Sequence, residues 1–264
     1  MTIITLLTDF GTKDPYVAEM KAIIVSVCPK AQIIDISHQI EKFNTRMGAF
    51  TLASAAPYFP PKTIHVAVVD PGVGTKRRPI IVETQRGFYV GPDNGILMLA
   101  AQKERVKQVC QICNPQLMLS KVSKTFHGRD IFASAAAYLA NGKALSEFGP
   151  EIHDYVTPEF AKPKMKGKEL FGEIVHIDDF GNVVSNVSVE DLGKIGAKEG
   201  CLLDVGFKEK SFRLRFCSTY GDASVGQSLA LVGSHEFLEF SVNQGNAAKK
   251  FKVKVGDTIR LSRC

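Results

Sequence analysis

The sequence predicts an α/β N-terminal domain with a mostly parallel central sheet and a smaller all-β, barrel-like C-terminal domain. Three observations carry this. Strand-like and helix-like runs alternate over the first part of the chain. A Pro- and Lys-rich stretch, Tyr155 to Gly167, interrupts the pattern. Beyond it come short strands parted by Gly, Asp and Asn turns, with no long helix. The domains are accordingly placed at 1–158 and 168–264, with 159–167 as linker.

The elements follow in order. Ile3 to Leu7 is a short apolar run ending in TDFG, a buried strand entering a turn. Asp14-Pro15 reads as a helix start, with Asp14 as N-cap and Pro15 at the first helical position. The helix then sets Val17, Met20, Ile24 and Val27 on one face. Gln32 to Ile36 is a strand, Arg46 to Pro57 an Ala-rich helix, and Thr63 to Val69 a third strand. Pro79 to Glu83 and Phe88 to Val90 form a hairpin, and GPDNG is a tight turn into a helix. Asp130 to Asn141 is a helix closed by Gly142. In the second half the strands are Leu170 to Ile177, Leu202 to Val205, Ser211 to Phe216, Ser228 to Val232, Leu238 to Val242 and Thr258 to Leu261.

Composition excludes several classes. No apolar run approaches the roughly 20 residues of a membrane span. MTIITLLTDF lacks a basic n-region and carries an aspartate in its apolar stretch, so a signal peptide is not expected and a cytoplasmic chain is. The chain has 264 residues, six cysteines and a formal net charge of +6. The CQIC at Cys110 to Cys113 has no second CxxC, so buried reduced thiols are expected rather than zinc or disulfides. The lysines cluster in AKPKMKGK and KKFKVK without interleaved aromatics on a strand face, which does not suit nucleic acid.

Ligands of such sheets sit beyond the carboxyl ends of the strands. Asp9 in LLTDFGT and Asp70 in VVDPGVG end two strands, and His127 in TFHGRDIF precedes a helix. Each also has an ordinary reading as turn, cap or structural residue. DPGVGTKRR is neither a Walker loop nor a GxGxxG, because Gly74 is followed by Thr75-Lys76 and position 77 is arginine. Spacing for a metal pair is missing, so a metal site is not expected. An Asp, an Arg and a His remain that can together orient and polarise a water. HIDDFGNVVSN, STYGDA and GSHEFLEFSVNQGNAA read as β-turns, or as a platform for a ring with a polar tail.

Six motifs in order, TDFGT, VVDPGVG with its following RR, GPDNG, FHGRDIF, IDDFGN and NQGNAA, span both halves. Together they resemble the S-adenosylmethionine hydroxide adenosyltransferases, or S-adenosylmethionine hydrolases, relatives of the fluorinating and chlorinating enzymes. The resemblance implies attack of water or hydroxide at C5′ of the substrate, giving adenosine and L-methionine without a metal. It implies no cofactor either, S-adenosylmethionine being the substrate. It implies a homotrimer with sites between subunits. The family's water-activating trio falls on Asp70, Arg77 and His127, with Arg78 the lesser alternative to Arg77. Asp9 falls on the ribose hydroxyls, and Phe43 and Phe126 on the adenosyl and C5′ region. Phe180 and Tyr220 fall on aromatic faces near adenine, with Asn182 as its hydrogen-bonding partner. Asp178 falls on the methionine ammonium and Ser234 near its carboxylate. The halogenating relatives carry tyrosine in place of Asp70, threonine in place of Val73 and serine in place of Gly128. They also carry an insertion for which ETQRGFYV leaves no room. Where the fluorinating relatives have arginine, this chain has His235. The alternatives are a non-catalytic adenosine or S-adenosylmethionine binding module, a halide-using relative of the same fold, and a metal-dependent phosphoesterase.

Overall fold

The computed structural model describes residues 2–208 and 210–264; Met1, in the expected first domain, and Glu209, in the second, lie outside the described residues. The chain forms two compact units, Met1–Pro158 and Glu159–Cys264.

The N-terminal unit holds β1 (Ile3–Thr8), α1 (Tyr16–Val27), β2 (Gln32–Ser37), α2 (Thr45–Ala55), β3 (Ile64–Val68), β4 (Pro79–Thr84), β5 (Phe88–Pro92), α3 (Met98–Lys103), β6 (Val106–Gln111) and α4 (Ser134–Ala140). Its sheet runs β2-β1-β3-β5-β4-β6. The first four strands are parallel, and β4 is antiparallel to both neighbours. Near-continuous apolar strands suit a sheet covered on both faces. Met20 and Ile24 of α1 are fully buried with Ile4, Leu6 and Val66, each apolar side chain contributing about 1.5–3 kcal/mol.

Register explains why Asp9 and Asp70 come together. Thr8 at the end of β1 pairs with Val68 of β3. The two aspartates therefore leave the sheet side by side at one carboxyl edge.

Three expectations need correcting. Asp14 does not cap α1: Pro15 occupies the N-cap position, with no side-chain cap bond, and its carbonyl accepts from Glu19 N at 2.9 Å. The helix expected over Asp130 to Asn141 begins earlier, as a π-helical stretch Gly128–Ala133 that runs into α4. Cys110 is buried and Cys113 is exposed, both free thiols, so the expected burial holds for the first alone.

The C-terminal unit holds β7 (Lys164–Lys166), β8 (Glu169–Ile177), β9 (Val183–Ser188), α5 (Val189–Lys194), β10 (Leu202–Phe207), β11 (Lys210–Phe216), β12 (Ser228–Val232), β13 (Phe237–Val242), α6 (Ala247–Phe251) and β14 (Thr258–Arg263). Strands β14-β10-β11-β12-β13-β9-β8 form a ring that the β14–β8 pairing closes. Closure removes the sheet edges. β7, in the stretch expected as linker, pairs with β8 outside that ring. Phe207 anchors the interior, stacked on Phe251 at 5.0 Å and edge-on to Phe240 at 5.1 Å. β9 lies where one turn was expected; its first five residues are all buried, Ser185 and Asn186 included, and it pairs with both β8 and β13.

Candidate active site

A pocket of about 420 Å³ opens at the carboxyl edge of the N-terminal sheet, lined by residues that include Asp9, Phe43, Asp70, Phe126 and His127. Phe10, Tyr16, Lys42, Val68, Val73, Thr125 and Gly128 complete the lining.

Asp70 and Arg77 meet through the bend that joins them. Val73 N donates to the Asp70 carbonyl at 3.2 Å and Thr75 N to Gly72 O at 3.2 Å, turning the chain back. Gly74 sits at φ +75, and a Cβ there would stand 2.3 Å from Lys124 O. Only glycine fits, and the close approach ties this bend to the segment leading to His127. Arg77 Nε then donates to Asp70 Oδ1 at 3.1 Å, and Nη2 donates to Asp70 Oδ2. Fork geometry of this kind gives strong, directional pairs. The side chains are only 5% and 7% exposed. Arg77 also lies 5.3 Å over the Phe132 ring.

Arg77 Nη2 is 3.1 Å from His127 Nδ1. A guanidinium only donates, so Nδ1 accepts and the imidazole proton sits on Nε2. The contacts thus run Asp70–Arg77–His127, and it is Arg77 rather than Asp70 that orients the imidazole. Burial and then the charge of Arg77 lower the His127 pKa, against Asp70, Asp130 and the Ser123 backbone, which raise it. His127 is neutral at neutral pH.

His127 lies at the start of the π-helical stretch, a feature often found at functional sites. Fully buried Asp130 accepts from Ser123 N at 2.7 Å and from Arg129 Nε at 2.6 Å. Arg129 also pairs with Glu19 at 2.7 Å and lies 5.0 Å over the Phe126 ring. Phe10, Tyr16 and Phe126 contact one another edge-on at 5.0–5.9 Å.

Asp9 is held from the next loop. Its Oδ2 accepts from Phe43 N at 2.9 Å, and Lys42 Nζ donates to its carbonyl. Phe43 is 70% exposed and sits at φ +65, a left-handed conformation costing a bulky residue about 1–3 kcal/mol. Asp9 helps hold it there.

A second pocket, of about 730 Å³, lies in the C-terminal unit, lined by Asp178, Phe180, Asn182, Tyr220 and the 242–246 turn. Asn182 donates twice to Asp178, from N to Oδ1 at 2.8 Å and from Nδ2 to Oδ2 at 2.9 Å. Gly181 sits at φ +86, where a Cβ would fall 2.0 Å from Asn246 Nδ2, and Ala248 N donates to its carbonyl at 2.9 Å. IDDFGN and NQGNAA therefore build one wall. Tyr220 donates its hydroxyl to Glu239 Oε1 at 2.8 Å. Ser234 lies in the exposed turn before β13 and does not line the pocket.

Of the expected residues, Asp9, Phe43, Asp70, Phe126 and His127 share the first pocket, with Arg77 joining two of them. Asp178, Phe180, Asn182 and Tyr220 share the second. Phe10, Tyr16, Lys42 and Glu239 were not foreseen. Phe10 and Lys42 adjoin expected residues in sequence, and that adjacency is the signal that would have found them. Among the described residues no three His, Cys, Asp or Glu side chains group as a metal site, and no helix is long and apolar enough to cross a membrane.

Residues 4–149 match the family model described as the SAM hydroxide adenosyltransferase N-terminal domain, and 172–260 match the C-terminal domain of the same name. The chain is 36% identical to a protein of Methanocaldococcus jannaschii named (R)-S-adenosyl-L-methionine hydrolase, covering 99% of this chain and 96% of that one. A protein of Thermus thermophilus with that name is 34% identical, over 99% and 100%. A fluorinase of Actinoplanes sp. is 27% identical, over 99% and 97%. A crystal structure of an uncharacterized conserved protein from Thermotoga maritima matches with a TM-score of 0.86 and 37% identity, covering 98% of this chain and 100% of that chain.

Proposed function

The chain belongs to the SAM hydroxide adenosyltransferase family, and from that premise we propose that it is a cytoplasmic enzyme that hydrolyses S-adenosylmethionine to adenosine and L-methionine. The oxygen of water bonds to C5′ as the C5′–S bond breaks. The sulfur keeps the electron pair and leaves as the neutral thioether of methionine, and one proton is released. A sulfonium leaves without help from an acid, so the reaction needs neither metal nor cofactor. It needs positioning and an activated, desolvated nucleophile.

The contact chain Asp70–Arg77–His127 is the observation that carries this reading. Arg77 supplies positive charge beside the oxygen, and Asp70 holds the guanidinium in place. His127, with Nδ1 turned to Arg77, presents Nε2–H as a donor. The trio is thus read as holding hydroxide rather than as a base that takes water's proton. Asp70, Val73 and Gly128, three positions at which the halogenating relatives differ, all line this pocket. A Cβ at Gly128 would lie 3.2 Å from both the Phe10 and Phe126 rings, so the serine of those relatives would crowd it. Both points favour water over halide.

Asp9 Oδ1 is assigned to the ribose hydroxyls, and Phe43 and Phe126 to the adenosyl and C5′ region. In the second pocket the Asn182 amide nitrogen faces Asp178, so its oxygen is the end that suits the adenine amino group. Phe180 and Tyr220 supply aromatic faces, Asp178 the ammonium site and Ser234 the carboxylate site. Phe180 is 80% exposed, which fits sites completed between the subunits of a homotrimer.

The test is chromatography of S-adenosylmethionine incubated with purified protein. Adenosine and methionine are expected in equal amounts, unchanged by chelator. The lowered His127 pKa places the acid limb of kcat below the ordinary histidine value of about 6.5. Tight binding without turnover, or undiminished turnover in an Asp70→Ala, His127→Ala double variant, overturns the reading.

A further inference from the structure

We propose that Glu239 is a positioning residue for the substrate pocket of the C-terminal unit, fixing the Tyr220 ring through its hydroxyl. The proposal rests on the reading of that pocket as part of the substrate site. In FLEFSV, Leu238, Phe240 and Val242 belong to the barrel core cluster. Alternation puts Glu239 and Ser241 on the opposite face. An acid there is ordinarily solvated, yet Glu239 is 7% exposed and Ser241 is fully buried. Its cross-strand neighbours are Leu231 of β12 and Val184 of β9. On the same side Leu229 and Leu231 pack with Cys217 and Ala223, residues flanking the turn that carries Tyr220.

Burying a carboxylate among apolar neighbours costs several kcal/mol unless hydrogen bonds offset it. Two hydroxyls converge on the same oxygen: Tyr220 Oη at 2.8 Å and Ser241 Oγ at 2.6 Å. Ser241 and the strand fix the carboxylate, and the carboxylate fixes the tyrosine. Tyr220 is 43% exposed and lines the pocket, so its ring is held at one end and open to ligand elsewhere. Burial and then the bond to Glu239 raise the Tyr220 pKa, with Asp178 adding to the effect. Gly233 belongs to the same arrangement. A Cβ there would stand 2.9 Å from Glu239 Oε2, so the turn before Ser234 lies against the carboxylate.

The test compares Glu239→Gln, Tyr220→Phe and the double variant in the full-length protein, with Glu239→Ala beside them. Each single variant should raise KM for S-adenosylmethionine about fivefold, close to the net contribution of one ordinary hydrogen bond, with kcat within about twofold. The double variant should be no worse than either single one, because both remove the same link. Glu239→Ala should be worse than Glu239→Gln, which keeps the shape. The chain has six tyrosines and no tryptophan, so its near-ultraviolet absorbance reports tyrosine. In ligand-free protein Glu239→Gln should shift a tyrosine band to shorter wavelength, and the shift should vanish in the Tyr220→Phe background. KM effects that multiply in the double variant, or no band shift, overturn the proposal. Wild-type protein without turnover overturns the function reading instead, and the band shift still tests the Glu239–Tyr220 link.

Discussion

The two pockets are built from different materials. The N-terminal one brings an aspartate, an arginine and a histidine into a chain of contacts, with the Asp70 and Arg77 side chains 5% and 7% exposed. The C-terminal one presents aromatic faces and amides, with Phe180 80% exposed and Asn182 fixed by Asp178. A buried, mutually held set of charges costs stability and suits chemistry. An open aromatic and amide surface suits recognition. On the proposed reading the difference separates reaction from discrimination, and each should fail in its own way.

The largest effect should come from breaking the chemical half. Arg77→Ala or His127→Ala should lower kcat about 10²–10³-fold, with KM changed far less. A rise in KM at constant kcat would erase the contrast between the pockets. Acid sharpens the comparison next. In the N-terminal unit His65 is 3% exposed, bonded to Thr5 Oγ1 at 2.8 Å and stacked on Tyr89. Burial, then the charge of Arg86, lowers its pKa to about 4. His65 takes a proton near pH 6.5 in the unfolded chain and only near 4 in the folded one, so its contribution is constant above 6.5 and stability is lost as pH falls between these values. The loss should be on the order of 3 kcal/mol by denaturant titration, and His65→Asn should flatten it. His176 of the C-terminal unit is also lowered by burial, opposed by Asp178 and Asp179. The smallest effect should come from the recognition half. Phe180→Ala or Asn182→Ala should raise KM about tenfold with kcat nearly constant, as loss of one ring face or one amide contact implies.

Much of the N-terminal site was legible because backbone topology places it. Two strands ending in TDFG and VVDPG must deliver Asp9 and Asp70 to the same edge of a parallel sheet. The pairing of Arg77 rather than Arg78 with Asp70 depends on the Gly74 bend; Arg78 instead bridges Asp93 and Asp154. Less was legible where position depends on packing between distant segments. Glu239 lies in FLEFSV on the face away from the barrel core, and its burial comes with contacts to residues distant in sequence, Tyr220 among them. Asp14 looked like a helix cap because its type and its proline fit, but local preference did not decide where α1 begins. The order Asp70–Arg77–His127 likewise follows from side-chain geometry that spacing does not encode.

The most direct measurement is a single-turnover reaction of S-adenosylmethionine in ¹⁸O-labelled water, with both products analysed by mass spectrometry. Attack at C5′ under the control of the N-terminal pocket should place one labelled oxygen in adenosine and none in methionine, with the rate collapsing in Arg77→Ala. Label in the amino acid product, or release of methylthioadenosine in place of adenosine, would contradict the account.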